Sequence, residues 1–168
     1  MIHVCSLADL PATVAATGAR HILTVMGDVS RVTRPDSVLE TNHLMIRMDD
    51  ITEPADGFVA PCAEHVERAL AFVRRWDRAA PLVIHCYAGI SRSTANAFMA
   101  ACALNPHRDE TAIARQMRAA SPIAYPNRLI VEIADRTLGR NGRMVSALDA
   151  MGPGNMTVES RPFRIEIE

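Results

Sequence analysis

Residues 81–104 read PLVIHCYAGISRSTANAFMAACAL, and the fold turns on how this stretch is parsed. Pro81 to His85 is a short, apolar run of the kind that forms a buried strand. From about Ser91 the pattern becomes helical, running through AFMAACAL to a stop at Asn105-Pro106. Only Tyr87, Ala88, Gly89, Ile90 and Ser91 separate the strand's terminal Cys86 from that helix.

Outward from this unit the same alternation recurs. Ile2–Leu7 reads as a strand, followed by a helix around Leu7–Thr17 that stops at Gly18. His21–Met26 and His43–Met48 are further strands, separated by a polar surface loop over Arg31–Thr41. Asp49-Asp50 closes the third strand. After the turn-rich ITEPADGFVAP, Pro61–Ala79 carries Val66, Ala69, Leu70 and Val73 at helical spacing. Two more helices are expected over Asp109–Ala120 and Asn127–Leu138, the latter resuming after Gly139. Strands alternating with helices predict an α/β fold: a short, mostly parallel central sheet of four or five strands, with helices on both faces. Residues 1–150 form the expected domain. In the tail, 151–168, MGPGN breaks the chain, and Phe163, Ile165 and Ile167 share one side, as in an edge strand.

Composition narrows the function. The 168 residues carry a net charge of −1, and all 18 basic residues are arginine. So even a balance argues against a nucleic-acid partner. Without lysine, an anion site must be built from arginine and backbone N–H groups. Cys5, Cys62, Cys86 and Cys102 form no CxxC pair and no zinc spacing, and Cys62-x-x-His65 lacks a complementary pair. No metal and no cofactor are expected. Cys5, Cys62 and Cys102 read as packing thiols, and Trp76 as a core or edge anchor. No apolar run has the length of a membrane span, and the start of the chain lacks the basic region of a signal peptide. A cytoplasmic protein without a membrane partner is expected.

Ligands of a parallel sheet bind outside the carboxyl ends of its strands, which is where Cys86 falls. Gly89 lets the following loop curl, aiming several backbone N–H groups inward at the positive end of a helix. Arg92 at the helix start would grip two oxygens of a tetrahedral anion. The same field favours an ionised sulfur at Cys86. Phosphoryl transfer to sulfur also needs a proton donor for the leaving oxygen. The third and fourth strands should run parallel, which places Asp49 and Asp50 at the edge where Cys86 lies. Ser93 would hydrogen-bond the departing sulfur in the second step.

HCYAGISRS matches the HCxxGxxR[ST] pattern of the cysteine-dependent protein tyrosine phosphatases, with His85, Cys86, Gly89, Arg92 and Ser93 in register. The chain resembles the compact dual-specificity branch and, more narrowly, short bacterial tyrosine-phosphatase-like proteins. The resemblance implies Cys86 as nucleophile, Arg92 as phosphate ligand and Ser93 as helper of dephosphorylation. It implies a phosphate loop of Tyr87, Ala88, Gly89, Ile90, Ser91 and Arg92, with His85 and Asn127 in support. MDDI fits the family's acid best with Asp50, leaving Asp49 and Asp56 as alternatives. The implied reaction is hydrolysis of phosphate monoesters through a phosphocysteine. Its substrates would be phosphorylated proteins, phosphotyrosine first with phosphoserine and phosphothreonine as further candidates. Phosphate, sulfate or vanadate would be site ligands. Tyr87 and Ile90 stand where lipid phosphatases of the superfamily tend to carry lysine, which favours a phosphoprotein. The rival readings are a phospho-binding pseudophosphatase of little activity and, more remotely, a sulfurtransferase or arsenate reductase.

Overall fold

The computed structural model describes residues 1–155 and 160–167; of the tail, 156–159 and 168 lie outside them. Five strands form one sheet: β1 (Ile2–Cys5), β2 (His21–Met26), β3 (His43–Arg47), β4 (Leu82–His85) and β5 (Phe163–Ile165). Their order across the sheet is β3-β2-β4-β1-β5. The first four are mutually parallel; β5 runs antiparallel along β1, with Ile2 opposite Ile165 and Val4 opposite Phe163. The sheet is the short, mostly parallel one expected. β3 and β4 are parallel but not adjacent, because β2 lies between them.

Six helices cover the faces unequally. Among the described residues, α1 (Leu10–Thr17) alone lies on one side, where Leu10 and Val14 pack with Ile22, Val83 and the buried Val38. The others are α2 (Ala63–Arg75), α3 (Arg92–Leu104), α4 (Glu110–Ala120), α5 (Arg128–Thr137) and α6 (Arg143–Met151). These five share the larger core with Val4, Leu23, Val25, Leu82 and Ile84. Alternation along the strands explains the division: Leu82 and Ile84 face one layer while Val83 faces the other. α3 is the centre of the helical layer, buried continuously from Ser93 to Cys102. Most of these buried positions are apolar, as an interior helix requires, and its alanines let α2, α4 and α5 approach closely.

Several boundaries differ from the sequence reading. α1 begins at Leu10 rather than Leu7, because Ser6 Oγ donates to Asp9 Oδ2 at 2.6 Å and accepts from the Asp9 N–H. The Leu7 N–H is drawn instead to the Tyr87 carbonyl at 3.1 Å, so residues 6–9 form a turn against the Cys86 loop. α2 ends at Arg75, where Trp76 turns extended, buries its ring and donates from Nε1 to the Ala80 carbonyl. The segment 31–41 is more than a solvated loop: Val38 is wholly buried, and Arg20 and Arg34 hold the carbonyls of Ser37 and Val38. The helical pattern after Asn127 is two helices, α5 and α6. Asp135 of α5 accepts from the N–H groups of Gly142 and Met144, supplying the cap that α6 lacks locally. Cys62 and His65 cap the start of α2, with His65 Nδ1 accepting from the Cys62 N–H at 3.3 Å. Among the described residues, no helix is long and apolar enough to cross a membrane.

Candidate active site

The carboxyl ends of β1, β2, β3 and β4 meet at one edge, and α3 starts there. Cys86 lies at the foot of this edge, 1% exposed. Its Sγ accepts from the Gly89 N–H at 3.2 Å and lies 3.2 Å from Ser93 Oγ. Gly89 has φ +75°, and a Cβ there would come within 2.8 Å of the backbone of Cys5 and Ser6. Both the conformation and the space demand glycine.

Three carbonyls of the loop are held by hydrogen bonds. Tyr87 O accepts from the Leu7 N–H. Ile90 O accepts from the Tyr125 N–H and from Thr94 Oγ1. Ser91 O accepts from the Asn127 N–H and again from Thr94. In a trans peptide the N–H points opposite to its carbonyl. With these oxygens turned outward, the N–H groups of Ala88, Ser91 and Arg92 turn toward the loop's interior. The start of α3 adds its positive end beneath them, and Ser91 gives that end no side-chain cap. The result is a cup of inward-facing donors above the sulfur, an arrangement that could hold an oxyanion.

Arg92 closes the cup. Its Nη1 donates to the Met48 carbonyl at 3.0 Å, which anchors the guanidinium to the end of β3. Nε is buried and makes no hydrogen bond; the carboxylate of Asp50 is 3.8 Å away. A buried charged donor without an acceptor is costly, and an anion in the cup would supply one.

Asp50 lies over the loop. Its Oδ1 accepts from Ser91 Oγ at 2.7 Å and from Asn127 Nδ2 at 2.9 Å. Asn127 also caps α5, accepting from the Ile130 N–H, and bonds the Ile51 carbonyl. Asp49 points elsewhere. Its Oδ2 accepts from the Val59 N–H at 2.7 Å, and its Oδ1 presses so close to Gly27 that a Cβ there would meet it at 2.1 Å. Asp56 is exposed, outside the cleft. Of the three acids, Asp50 alone lines the cleft with Cys86 and Arg92.

The cleft has a volume of about 1170 Å³ and opens from the cup toward Tyr125, Pro126, Leu148 and Pro153. Tyr87 and Tyr125 stand at its mouth, each about half exposed. The guanidinium carbon of Arg31 lies 5.2 Å from the centre of the Tyr87 ring, a cation–π contact that steadies one rim. Tyr125 and Arg31 escaped the sequence reading, since nothing local marks them as neighbours of the loop.

Behind the loop lies a further group that the sequence reading missed. The hydroxyl of Thr24 on β2 is 2.6 Å from His85 Nε2 and 2.8 Å from His43 Nε2. His85 Nδ1 reaches the Cys86 carbonyl at 3.4 Å. Burial pushes both imidazoles down to about 4 from an ordinary 6.5, with the Cys86 contact opposing it at His85. The folded state therefore holds these rings neutral where the unfolded chain would bind protons. Their stabilising effect is complete above about pH 6.5 and is lost as pH falls toward 4. His85 alone should lower stability by about 1.4 kcal/mol per pH unit across that window, with a smaller, solvent-screened share from His43. Urea denaturation at pH 7, 6 and 5 measures this, and a flat profile over that range would contradict it. Cys5 and Cys102 are buried thiols that burial pushes up to about 12, which marks them as packing groups.

The fold is that seen in dual-specificity phosphatases. The chain superposes on the crystal structure of DUSP15 with a TM-score of 0.63 and 17% identity, covering 89% of each chain. It matches a mouse protein of the dual specificity phosphatase class, complexed with zinc tungstate, at TM-score 0.59 and 17% identity over 84% of each chain. PTPMT1 in complex with PI(5)P matches at 0.61 and 10% identity, over 83% of this chain and 91% of the other. What is shared at such identities is the fold. These matches lend no support to the narrower bacterial likeness. No family model and no curated sequence relative matches the chain.

Proposed function

We propose that the protein is a phosphatase that hydrolyses phosphate monoesters through phosphorylated Cys86. The observation that carries this reading is the cup itself: inward-facing amides above the sulfur, and an unsatisfied Arg92 Nε lining the same cleft. Cys86 Sγ attacks phosphorus, the P–O bond to the substrate breaks, and protonated Asp50 gives its proton to the leaving oxygen. A water then attacks the phosphocysteine while Asp50, now a carboxylate, takes its proton. The S–P bond breaks, Ser93 Oγ–H hydrogen-bonds the departing thiolate, and inorganic phosphate leaves. The amides and Arg92 hold the three equatorial oxygens throughout.

The cleft supports a phosphorylated protein, phosphotyrosine above all, as substrate. Cys86 lies deep, and exposed aromatic rings stand at the rim where a phenyl ring would enter. A multiply phosphorylated headgroup finds little to hold it. Beyond Arg92, the cleft's other arginine, Arg128, is paired with Glu132 and Asp149, and Glu53 adds another negative charge. Two structural neighbours are described in complex with zinc tungstate and with PI(5)P. For this chain the charge pattern favours the protein substrate.

The test is hydrolysis of para-nitrophenyl phosphate and of a phosphotyrosine peptide in the presence of EDTA, with inhibition by vanadate. Phosphate binding without turnover would replace this reading by the binding-only one. For the acid, Asp50→Ala should lower kcat by about 100-fold on the phosphopeptide, the scale of general-acid catalysis. On an activated aryl phosphate, whose leaving group needs no proton, the loss should be only a few-fold. Equal activity on the phosphopeptide would remove Asp50 from the role. Asp49→Asn should instead loosen the Val59 turn and leave this leaving-group dependence in place.

A further inference from the structure

The hydroxyl of Thr24 bridges two neutral imidazoles, and proton counting gives that bridge a direction. A threonine hydroxyl has one proton, so it donates to one ring nitrogen and must accept from the other. Suppose Thr24 donated to His43. His85 Nε2 would then carry its ring's proton, and its bare Nδ1 would face the lone pairs of the Cys86 carbonyl. His43 would carry its own proton on Nδ1, which is buried without a partner, so an N–H would be stranded there. Reversing the chain removes both faults. His43 Nε2–H donates to Thr24, Thr24 donates to His85 Nε2, and His85 Nδ1–H donates to the Cys86 carbonyl. What remains unpaired is only a lone pair at His43 Nδ1, a smaller cost than an orphaned N–H.

We propose that Thr24 and His43 are positioning residues that lock His85 in its Nδ1–H tautomer and thereby orient the peptide between Cys86 and Tyr87. The carbonyls of Tyr87, Ile90 and Ser91 are held outward by Leu7, Tyr125, Thr94 and Asn127. For the Cys86 carbonyl the corresponding outer donor is His85. Holding that carbonyl down turns the Tyr87 N–H toward the cup, adding a donor directly above the sulfur. Thr24 is wholly buried on β2, 61 residues from His85, so the relay ties the phosphate loop to the middle of the sheet. The catalytic consequence rests on the phosphatase reading; the tautomer and the anion affinity do not.

Nitrogen-15 NMR of the histidine rings in the intact protein at neutral pH tests the direction of the relay. The expected result is a protonated Nδ1 and bare Nε2 on His85, with a protonated Nε2 on His43; the opposite tautomer on His85 overturns the proposal. In Thr24→Val, an isosteric change, His85 should populate both tautomers, and affinity for inorganic phosphate should fall about tenfold, the scale of one hydrogen bond to a charged group. Thr24→Ser restores both, because it keeps the hydroxyl. Unchanged phosphate affinity in Thr24→Val overturns the positioning role. Should the wild type bind phosphate yet hydrolyse no monoester, the phosphatase reading fails while the relay is still judged by these two readouts. If Thr24→Val does not fold, the wild-type tautomer decides.

Discussion

Cys86→Ser is expected to lower kcat on an aryl phosphate by about 10⁴-fold or more, the range seen when a catalytic nucleophile is removed. The substitution keeps the shape of the site. Serine Oγ would still accept from the Gly89 N–H and stay beside Ser93, and the amides of the cup would keep their outward anchors. What it removes is the sulfur nucleophile itself. An alcohol oxygen in its place is a far weaker nucleophile toward phosphorus. A 10⁴-fold loss corresponds to about 5.5 kcal/mol of transition-state stabilisation. Because the anion site is untouched, inorganic phosphate should bind the variant within a few-fold of wild type by calorimetry. Retained turnover would displace Cys86 as the nucleophile, and lost phosphate binding would mean that the cup itself had collapsed.

The largest stability effect is expected far from the cleft, at Arg140. This residue is 8% exposed and donates in three directions: to Glu110 Oε1 and the Pro106 carbonyl at 3.0 Å, and to the Cys102 carbonyl at 2.6 Å. It joins the end of α3, the turn after it and the start of α4. Glu110 is 3% exposed, so Arg140→Ala would leave a buried carboxylate with diminished compensation. Breaking a buried pair by removing one partner costs about 3–5 kcal/mol. Arg143 Nε, 3.1 Å from Glu110 Oε2, still faces the carboxylate, which places the expectation near the lower end, about 3 kcal/mol. Adding Glu110→Gln to the variant should recover part of the loss, since the uncompensated charge is then gone. Urea denaturation of the single and double variants measures both quantities. A loss under about 1 kcal/mol, the level of a surface pair, would show that the network is dispensable. Activity in the absence of urea should stay close to wild type, because none of these groups lines the cleft.

Much of the site was legible in the residues around Cys86 because its parts lie next to one another along the chain. An apolar strand, a glycine that must take positive φ and a helix beginning at Arg92 are local features, and local sterics place sulfur, amides and guanidinium together. The nearness of an acid from the third strand was legible too, through the parallel run of β3 and β4. Which acid it would be was not. Asp49 and Asp50 are consecutive and identical in chemistry. They part only because Val59 and Gly27 receive one while Ser91 and Asn127 receive the other.

The same limit applies elsewhere. The start of α1 shifted because Leu7 is bonded to Tyr87, and Val38 is buried because two arginines hold its loop. Thr24 and His43 look like ordinary strand residues until β2 is laid beside β4 and Thr24 is paired with His85. The amino-acid sequence by itself determined the layered architecture and the curled loop after Cys86, since periodicity and backbone conformation are written over a few neighbouring residues. Tertiary structure decided which carboxylate faces the cup, what orients His85 and what walls the cleft. Those outcomes depend on hydrogen bonds between groups tens of residues apart, whose pairing exists only once the chain has packed.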